Sequence, residues 1–164
     1  MELEFKPLAE NDIPIVKEIY DYFVLNSTAT FHTIPVSPDY LKEMIPVDHP
    51  KYRSYLIKVD NQICGYAYFA QYKNRPAYDR TAEVTIYLKQ EYAGKGLGKA
   101  ALQRLEEDMV KAGEIKVIIA VLSADNAASI KLFEKAGYER CAHFKQVGEK
   151  FGKILDVLVY QKII

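Results

Sequence analysis

Between Glu91 and Ala100 the chain reads Tyr92-Ala93-Gly94-Lys95-Gly96-Leu97-Gly98-Lys99, three alternate glycines with lysines between and after them. The preceding stretch, Ala82 to Leu88 (AEVTIYL), is β-branched and aromatic and predicts a strand. The following one puts Leu97, Ala101, Leu102, Leu105 and Met109 on one helical face, with Gly113 as the C-terminal cap. Glycines at such a junction allow positive φ and let the backbone approach a ligand closely. The unpaired amides of the helix start, reinforced by the helix dipole, then form an anion site. A plain glycine-rich turn would meet the same backbone need, but the two lysines favour a phosphate. A Walker loop does not fit, because Ala93 and Ala100 stand where its first Gly and its Ser or Thr belong. A Rossmann loop does not fit either, because the spacing is GxGxG rather than GxGxxG.

The rest of the chain shows no internal repeat or linker. Leu3 to Phe5 predicts a short strand ending at Pro7, and Asn11 or Asp12 a cap for a helix with the stripe Ile15, Ile19, Tyr20, Phe23. Residues 26–38 read as loop, and Ser37-Pro38 as the start of a second helix. Tyr55 to Val59 and Ile63 to Phe69 form a hairpin turned at Asp60-Asn61. Gln71 to Arg80 is a loop; Val117 to Leu122 reads as a strand covered on both faces. Ala127 to Ala136 is a short helix stopped by Gly137. Glu139 to Val147 and Ile154 to Gln161 close the chain as a hairpin turned at residues 148–152. The order β-α-α-β-β-β-α-β-α-β-β describes a mixed α/β sheet with helices on both sides.

At 164 residues the chain fits one domain, 1–164. Its 22 basic residues balance 22 acidic ones, which argues against nucleic acid or a membrane surface as partner. No run approaches the ~18 apolar residues of a membrane span. The start, MELEFKPLAEND, lacks the marks of a secretory or transit signal. Cys64 and Cys141 form no CxxC and read as buried free thiols in a reducing, cytoplasmic setting. His32, His49 and His143 share no metal-ligand spacing, so no metal is expected.

The strand, glycine loop and helix resemble the acetyl-CoA motif of the GNAT superfamily of N-acetyltransferases. That motif, Q/R-x-x-G-x-G/A, maps onto Ala93-x-x-Gly96-x-Gly98, with Ala93 departing from the usual Gln or Arg. A second landmark, an Asn before a short helix ending in Gly-Tyr or Gly-Phe, matches Asn126 through Gly137-Tyr138. The resemblance implies a mostly antiparallel sheet with acetyl-CoA beside its central strands. It also implies that residues Gly94, Lys95, Gly96, Leu97, Gly98 and Lys99 hold the pyrophosphate. Asn126 would then contact coenzyme A, and Ile86, Tyr87 and Leu88 would bind its pantetheine arm through their backbone. The chain is similar, more narrowly, to the phosphinothricin and methionine sulfoximine acetyltransferase branch. The matching segments are Asn26 to Phe31, Ala77 to Glu83 and Val147 to Gly152, which span nearly the whole chain. Members of that branch often form homodimers, so a homodimer is implied too.

Acetyl transfer from a thioester requires that an ammonium lose its proton, so a base is needed. Glu83, at the start of the strand before the glycine loop and between Ala82 and Val84, is the candidate. A surface Glu on a strand end fits the pattern equally; the resemblance places the base in the Thr-Ala-Glu segment. Many relatives protonate the leaving thiolate with a tyrosine where this chain has Phe133, and Tyr138 lies in a packing position, so no general acid is assigned. Lys73, Asn74 and Arg75 are candidates for holding an acceptor carboxylate, though a solvated basic loop is the commoner fate. Phe31 and Tyr78 either line the acceptor pocket or pack in the core. The chain therefore reads as an acetyltransferase for a small amino-acid-like amine. Another small amine, a protein amine, or a non-catalytic acyl-CoA sensor are the alternatives.

Overall fold

Asp60 and Asn61 both adopt the left-handed region, at φ 47° and 66°. These are among the few residue types that tolerate such a turn, and the strands on either side pair antiparallel as expected. In the computed structural model, which describes residues 1–164, this hairpin joins β2 (Arg53–Val59) to β3 (Gln62–Gln71). Before it come β1 (Leu3–Pro7), α1 (Ile13–Asn26) and α2 (Pro38–Met44). After it come β4 (Thr81–Leu88), α3 (Leu97–Ala112), β5 (Val117–Ser123), α4 (Ala127–Lys135), β6 (Glu139–Lys150) and β7 (Lys153–Ile163). The seven strands form one sheet in the order β1-β2-β3-β4-β5-β7-β6. Every neighbouring pair is antiparallel except β4 and β5.

Alternation along the strands divides the core. One face sends Tyr55, Ile57, Ala67, Phe69, Ala82, Val84, Ile118 and Leu158 against Leu97, Leu102, Leu105 and Met109 of α3 and Phe133 of α4. The other sends Leu56, Tyr66 and Tyr68 against Val16, Ile19, Tyr20 and Val24 of α1 and Leu41 of α2. Ser37 caps α2 through Tyr40 N, as its position predicts, and Gly113 ends α3 at φ 74°.

Five local expectations are corrected. Asp12 does not cap α1; its carboxylate turns back to accept from Ala9 N and Lys6 Nζ. The buried stripe of α1 is Ile13, Val16, Ile19, Tyr20 and Val24; of the expected stripe, Ile15 and Phe23 are only partly buried against β3 and β4. β5 is not covered evenly on both faces: Val121 is 43% exposed, although Ser123 at the strand's end on that face is buried. The final turn is only Phe151-Gly152, since Gly148 pairs with Leu155 inside the ladder. Of the two cysteines, Cys64 is buried as expected, but Cys141 is exposed on the edge strand β6.

Gly65 lies opposite Leu88, where a Cβ would stand 2.4 Å from the Tyr87 carbonyl oxygen. Backbone cannot yield there without moving β4. Gly65→Ala is expected to destabilise the fold by about 2 kcal/mol, read as a lowered midpoint in urea denaturation.

Candidate active site

β4 and β5 are paired for only three residues, Thr81 with Val117, Ala82 with Ile118 and Glu83 with Ile119. Beyond Glu83 the strands part. β5 continues along β7 as far as Ser123, while β4 continues along β3 as far as Leu88. The edge of β4 that carries Ile86, Tyr87 and Leu88 is therefore without a strand partner on its β5 side. A wedge opens in the middle of the sheet, bounded by unsatisfied backbone donors and acceptors.

The glycine loop closes the wide end of that wedge. Gly94 and Gly96 adopt φ of 73° and 79°, and a Cβ on either would meet nothing within 4 Å. The first backbone bond of α3 runs from Ala100 N to Gly96 O, so the amides of Gly96, Leu97, Gly98 and Lys99 have no backbone acceptor. Four successive donors at the start of a 16-residue helix suit a pyrophosphate. Gly98 is bracketed by Leu88 of β4 and Leu132 of α4, with a Cβ there only 3.9 and 3.6 Å from their side chains. The β4 end, the loop and α4 thus converge. Lys95 leans over the ring of Tyr92 at 5.3 Å and remains exposed. Asn126 caps α4 by accepting from Ser129 N at 3.2 Å, which fixes its rotamer and leaves its amide nitrogen free.

Glu83 lies at the last paired position before the wedge. Ala82 and Val84 point to the α3 face, so they are not its surroundings as sequence adjacency implied. Glu83 shares the α1 face with Thr85 and Tyr87, near Tyr68 and opposite Ala70 on β3. Burial pushes its carboxyl above the ordinary glutamate range, and the Lys73 charge pulls it part of the way back. The same burial drives the Tyr68 hydroxyl up to about 12 and Tyr87 higher still, so both stay protonated near neutrality.

The other candidate residues divide. Lys73, Asn74 and Arg75 are exposed in a loop fixed by Gln71 Nε2 donating to Arg75 O at 3.0 Å and to Asp79 at 2.9 Å. Of the three, Lys73 comes near enough to Glu83 to act on its charge. Tyr78 packs edge-on to Tyr72 in the same loop, 5.6 Å between centroids. Phe31 is 39% exposed and rests on Gly148 of β6, so neither Phe31 nor Tyr78 is a core residue. Phe133 is buried against the Tyr138 ring, and the Tyr138 hydroxyl donates to Glu106 of α3 at 3.0 Å. Each histidine makes its own local bond: His32 to Tyr20, His49 to the amides of Lys51 and Tyr52, His143 to Asp156.

Sequence reasoning passed over the set formed by Tyr20, Thr30, His32, Asp125 and Lys150. The Tyr20 hydroxyl bonds Thr30 Oγ1 at 2.6 Å and also His32 Nδ1. Asp125 accepts from Ser123 at 2.6 Å and from Thr28 at 2.8 Å. These residues lie far apart in the chain and carry no spacing pattern. The only hints were Thr30 and Lys150, which lie within the matched segments Asn26 to Phe31 and Val147 to Gly152.

A parted central strand pair, a helix-start anion site and a desolvated carboxylate at their junction define an acyl-CoA-dependent transferase. Residues 16–138 match the family model for the acetyltransferase (GNAT) family, and the chain belongs to that family. It is an N-acetyltransferase that uses acetyl-CoA as co-substrate. Phosphinothricin N-acetyltransferase of Streptomyces coelicolor is 28% identical over 98% of this chain and 96% of that one. The L-methionine sulfoximine/L-methionine sulfone acetyltransferase of Pseudomonas paraeruginosa is 32% identical over 92% and 88%. The solved phosphinothricin acetyltransferase from Sinorhizobium meliloti, in complex with acetyl-CoA, superposes with a TM-score of 0.92 at 30% identity, covering 100% of this chain and 89% of that one.

The pKa of Glu83 has a consequence for stability. An acid whose folded pKa lies above its unfolded value destabilises the fold in its charged form, so stability falls as pH rises through that window. Glu83→Gln stays neutral throughout. It is expected to be more stable than the wild type at pH 7, with the gain shrinking as pH falls toward about 4, where an unfolded carboxyl is itself protonated. Chemical denaturation at a series of pH values measures this.

Proposed function

We propose that the enzyme acetylates the primary amine of a small amino-acid-like acceptor, of the phosphinothricin or methionine sulfoximine type, with Glu83 as general base. The observation that carries this reading is the half-buried carboxyl of Glu83, its pKa raised by desolvation, at the point where β4 and β5 part. Relatives named for those two acceptors match nearly the whole chain, which supports the acceptor class. Residues 1–164 act here as one domain.

On this reading the amides of Gly94, Lys95, Gly96, Leu97, Gly98 and Lys99 bind the pyrophosphate. The free amide nitrogen of Asn126 and the open backbone of Ile86, Tyr87 and Leu88 bind the rest of coenzyme A. Arg75, with Lys73 and Asn74, holds the acceptor carboxylate; Phe31 and Tyr78 bound the acceptor. The acceptor arrives as an ammonium and gives one proton to the Glu83 carboxylate, directly or through a water. The freed nitrogen lone pair attacks the thioester carbonyl carbon, and the C–S bond breaks as the tetrahedral adduct collapses. The nitrogen sheds its second proton and the leaving thiolate takes one up, so charge balances without a dedicated acid. Phe133 cannot supply a proton, and Tyr138 is committed to Glu106. Exposed Phe144, Val147, Phe151 and Ile154 on the last hairpin offer apolar surface for a second copy.

Release of free thiol from acetyl-CoA, with L-phosphinothricin and L-methionine sulfoximine as first acceptors, tests the reading. Glu83→Gln should lower kcat by about 10²–10⁴ with acetyl-CoA affinity unchanged. The wild-type kcat/KM should decline as pH falls through the raised pKa of Glu83. Arg75→Gln should raise acceptor KM by about tenfold with little change in acetyl-CoA binding. Acetyl-CoA binding without thiol release for either amino acid would overturn the acceptor class; full activity in Glu83→Gln would overturn the base.

A further inference from the structure

Lys150 is the one charged residue buried in the protein, at 4% exposure. It stands at the end of β6, and no carboxylate lies within ion-pair distance of it. Its ammonium donates to the main-chain carbonyl of Thr30 at 2.7 Å, with that of Phe23 at 3.5 Å and the Phe151 ring at 5.2 Å. A buried charge without a counter-charge is strongly unfavourable unless hydrogen bonds replace its water. Here two carbonyls do so, and burial still holds the amine below the ordinary lysine range.

What those carbonyls belong to gives Lys150 its role. Residues 28–36 make no backbone–backbone hydrogen bond; beyond two local turns, Ala29 N to Ser27 Oγ and His32 N to Thr30 Oγ1, the loop is held by side chains from elsewhere. Lys150 holds the Thr30 carbonyl while Tyr20 holds the Thr30 hydroxyl. Phe31 lies on Gly148, two residues before Lys150, so close that a Cβ there would come 2.5 Å from the ring. Thr28 bonds Asp125, the neighbour of Asn126. The Tyr20 ring in turn packs edge-on to Tyr87, 5.4 Å between centroids, on the face of β4 that carries Glu83.

We propose that Lys150 is a positioning residue of the acceptor site: its ammonium fixes the 28–35 loop, and with it Phe31, beside the Glu83 face of β4. This rests on the reading that the acceptor amine meets Glu83 on that face. The loop is the flank of that face not set by strand pairing, so its hold governs how well the acceptor is bound. The glycine loop lies on other supports, and Asn126, though next to Asp125, is held by its own bond from Ser129 N.

Lys150→Met keeps the apolar stem and removes the charge. Acceptor KM is expected to rise at least tenfold, acetyl-CoA Kd to stay within twofold, and amide hydrogen exchange to quicken at least tenfold at residues 29–33 and not in α3 or α4. Exchange needs no acceptor, so it judges Lys150 even if the amino acids named above are not substrates; any amine that is turned over serves for KM. Unchanged loop exchange and unchanged KM in the folded variant would overturn the proposal. So would equal losses in acetyl-CoA affinity and acceptor KM with faster exchange throughout, the mark of a merely structural residue. Gly148→Ala, which displaces Phe31 and leaves Lys150 in place, should raise acceptor KM alone; should Lys150→Met fail to fold, an unmoved KM in Gly148→Ala would overturn the proposal by itself.

Discussion

The parting of β4 from β5 after three paired residues is the constraint on which the rest depends. A parallel pair is normally buried and continuous, because each strand satisfies its neighbour's backbone. Ending the ladder at Glu83 leaves a run of β4 backbone in need of partners, and the glycine loop and α4 gather at its far end. Gly98 shows how close that convergence is: it touches Leu88 on one side and Leu132 on the other. A coenzyme that threads a sheet needs such a gap, and antiparallel pairing on both outer flanks keeps the sheet intact around it.

Two desolvated charges flank the same region by different means. Glu83 is half-buried among tyrosines, with the partial relief of Lys73. Lys150 is buried deeper and answered only by carbonyl dipoles. Neither arrangement serves stability; a neutral residue would fold at least as well in either place. On the proposed reading, each charge held at the fold's expense serves the acceptor, Glu83 directly and Lys150 through the 28–35 loop.

The donor and acceptor halves of the site are built in different ways. On the proposed reading, coenzyme binding draws on backbone: amides at a helix start, an unpaired strand edge, positive-φ glycines. The proposed acceptor side draws on side chains from α1, the 28–35 loop, the 72–80 loop and the β6–β7 hairpin. A donor site of that kind tolerates change in side chains, as the replacement of the usual Gln or Arg by Ala93 illustrates. The proposed acceptor side, built from side-chain anchors, would have less such tolerance.

That difference also decides what could be read without coordinates. The order of elements along the chain, the turn at Asp60-Asn61, the cap at Ser37 and the glycine spacing of residues 94–98 are local events. Hydrophobic period, turn chemistry and glycine spacing express them within a few residues, and the glycine loop with Asn126 led to the family. Where a side chain points was legible only in part. The neighbours of Glu83 in sequence, Ala82 and Val84, face away from it, and its true surroundings come from β3. The amino-acid sequence by itself determined the elements, their order and the chemistry of the donor loop, because each is written in consecutive residues. The tertiary structure alone decided the parting of β4 from β5, the half-buried setting of Glu83, and the hold of Lys150 on a loop 120 residues away, because each depends on contacts between segments that the chain brings together only by folding.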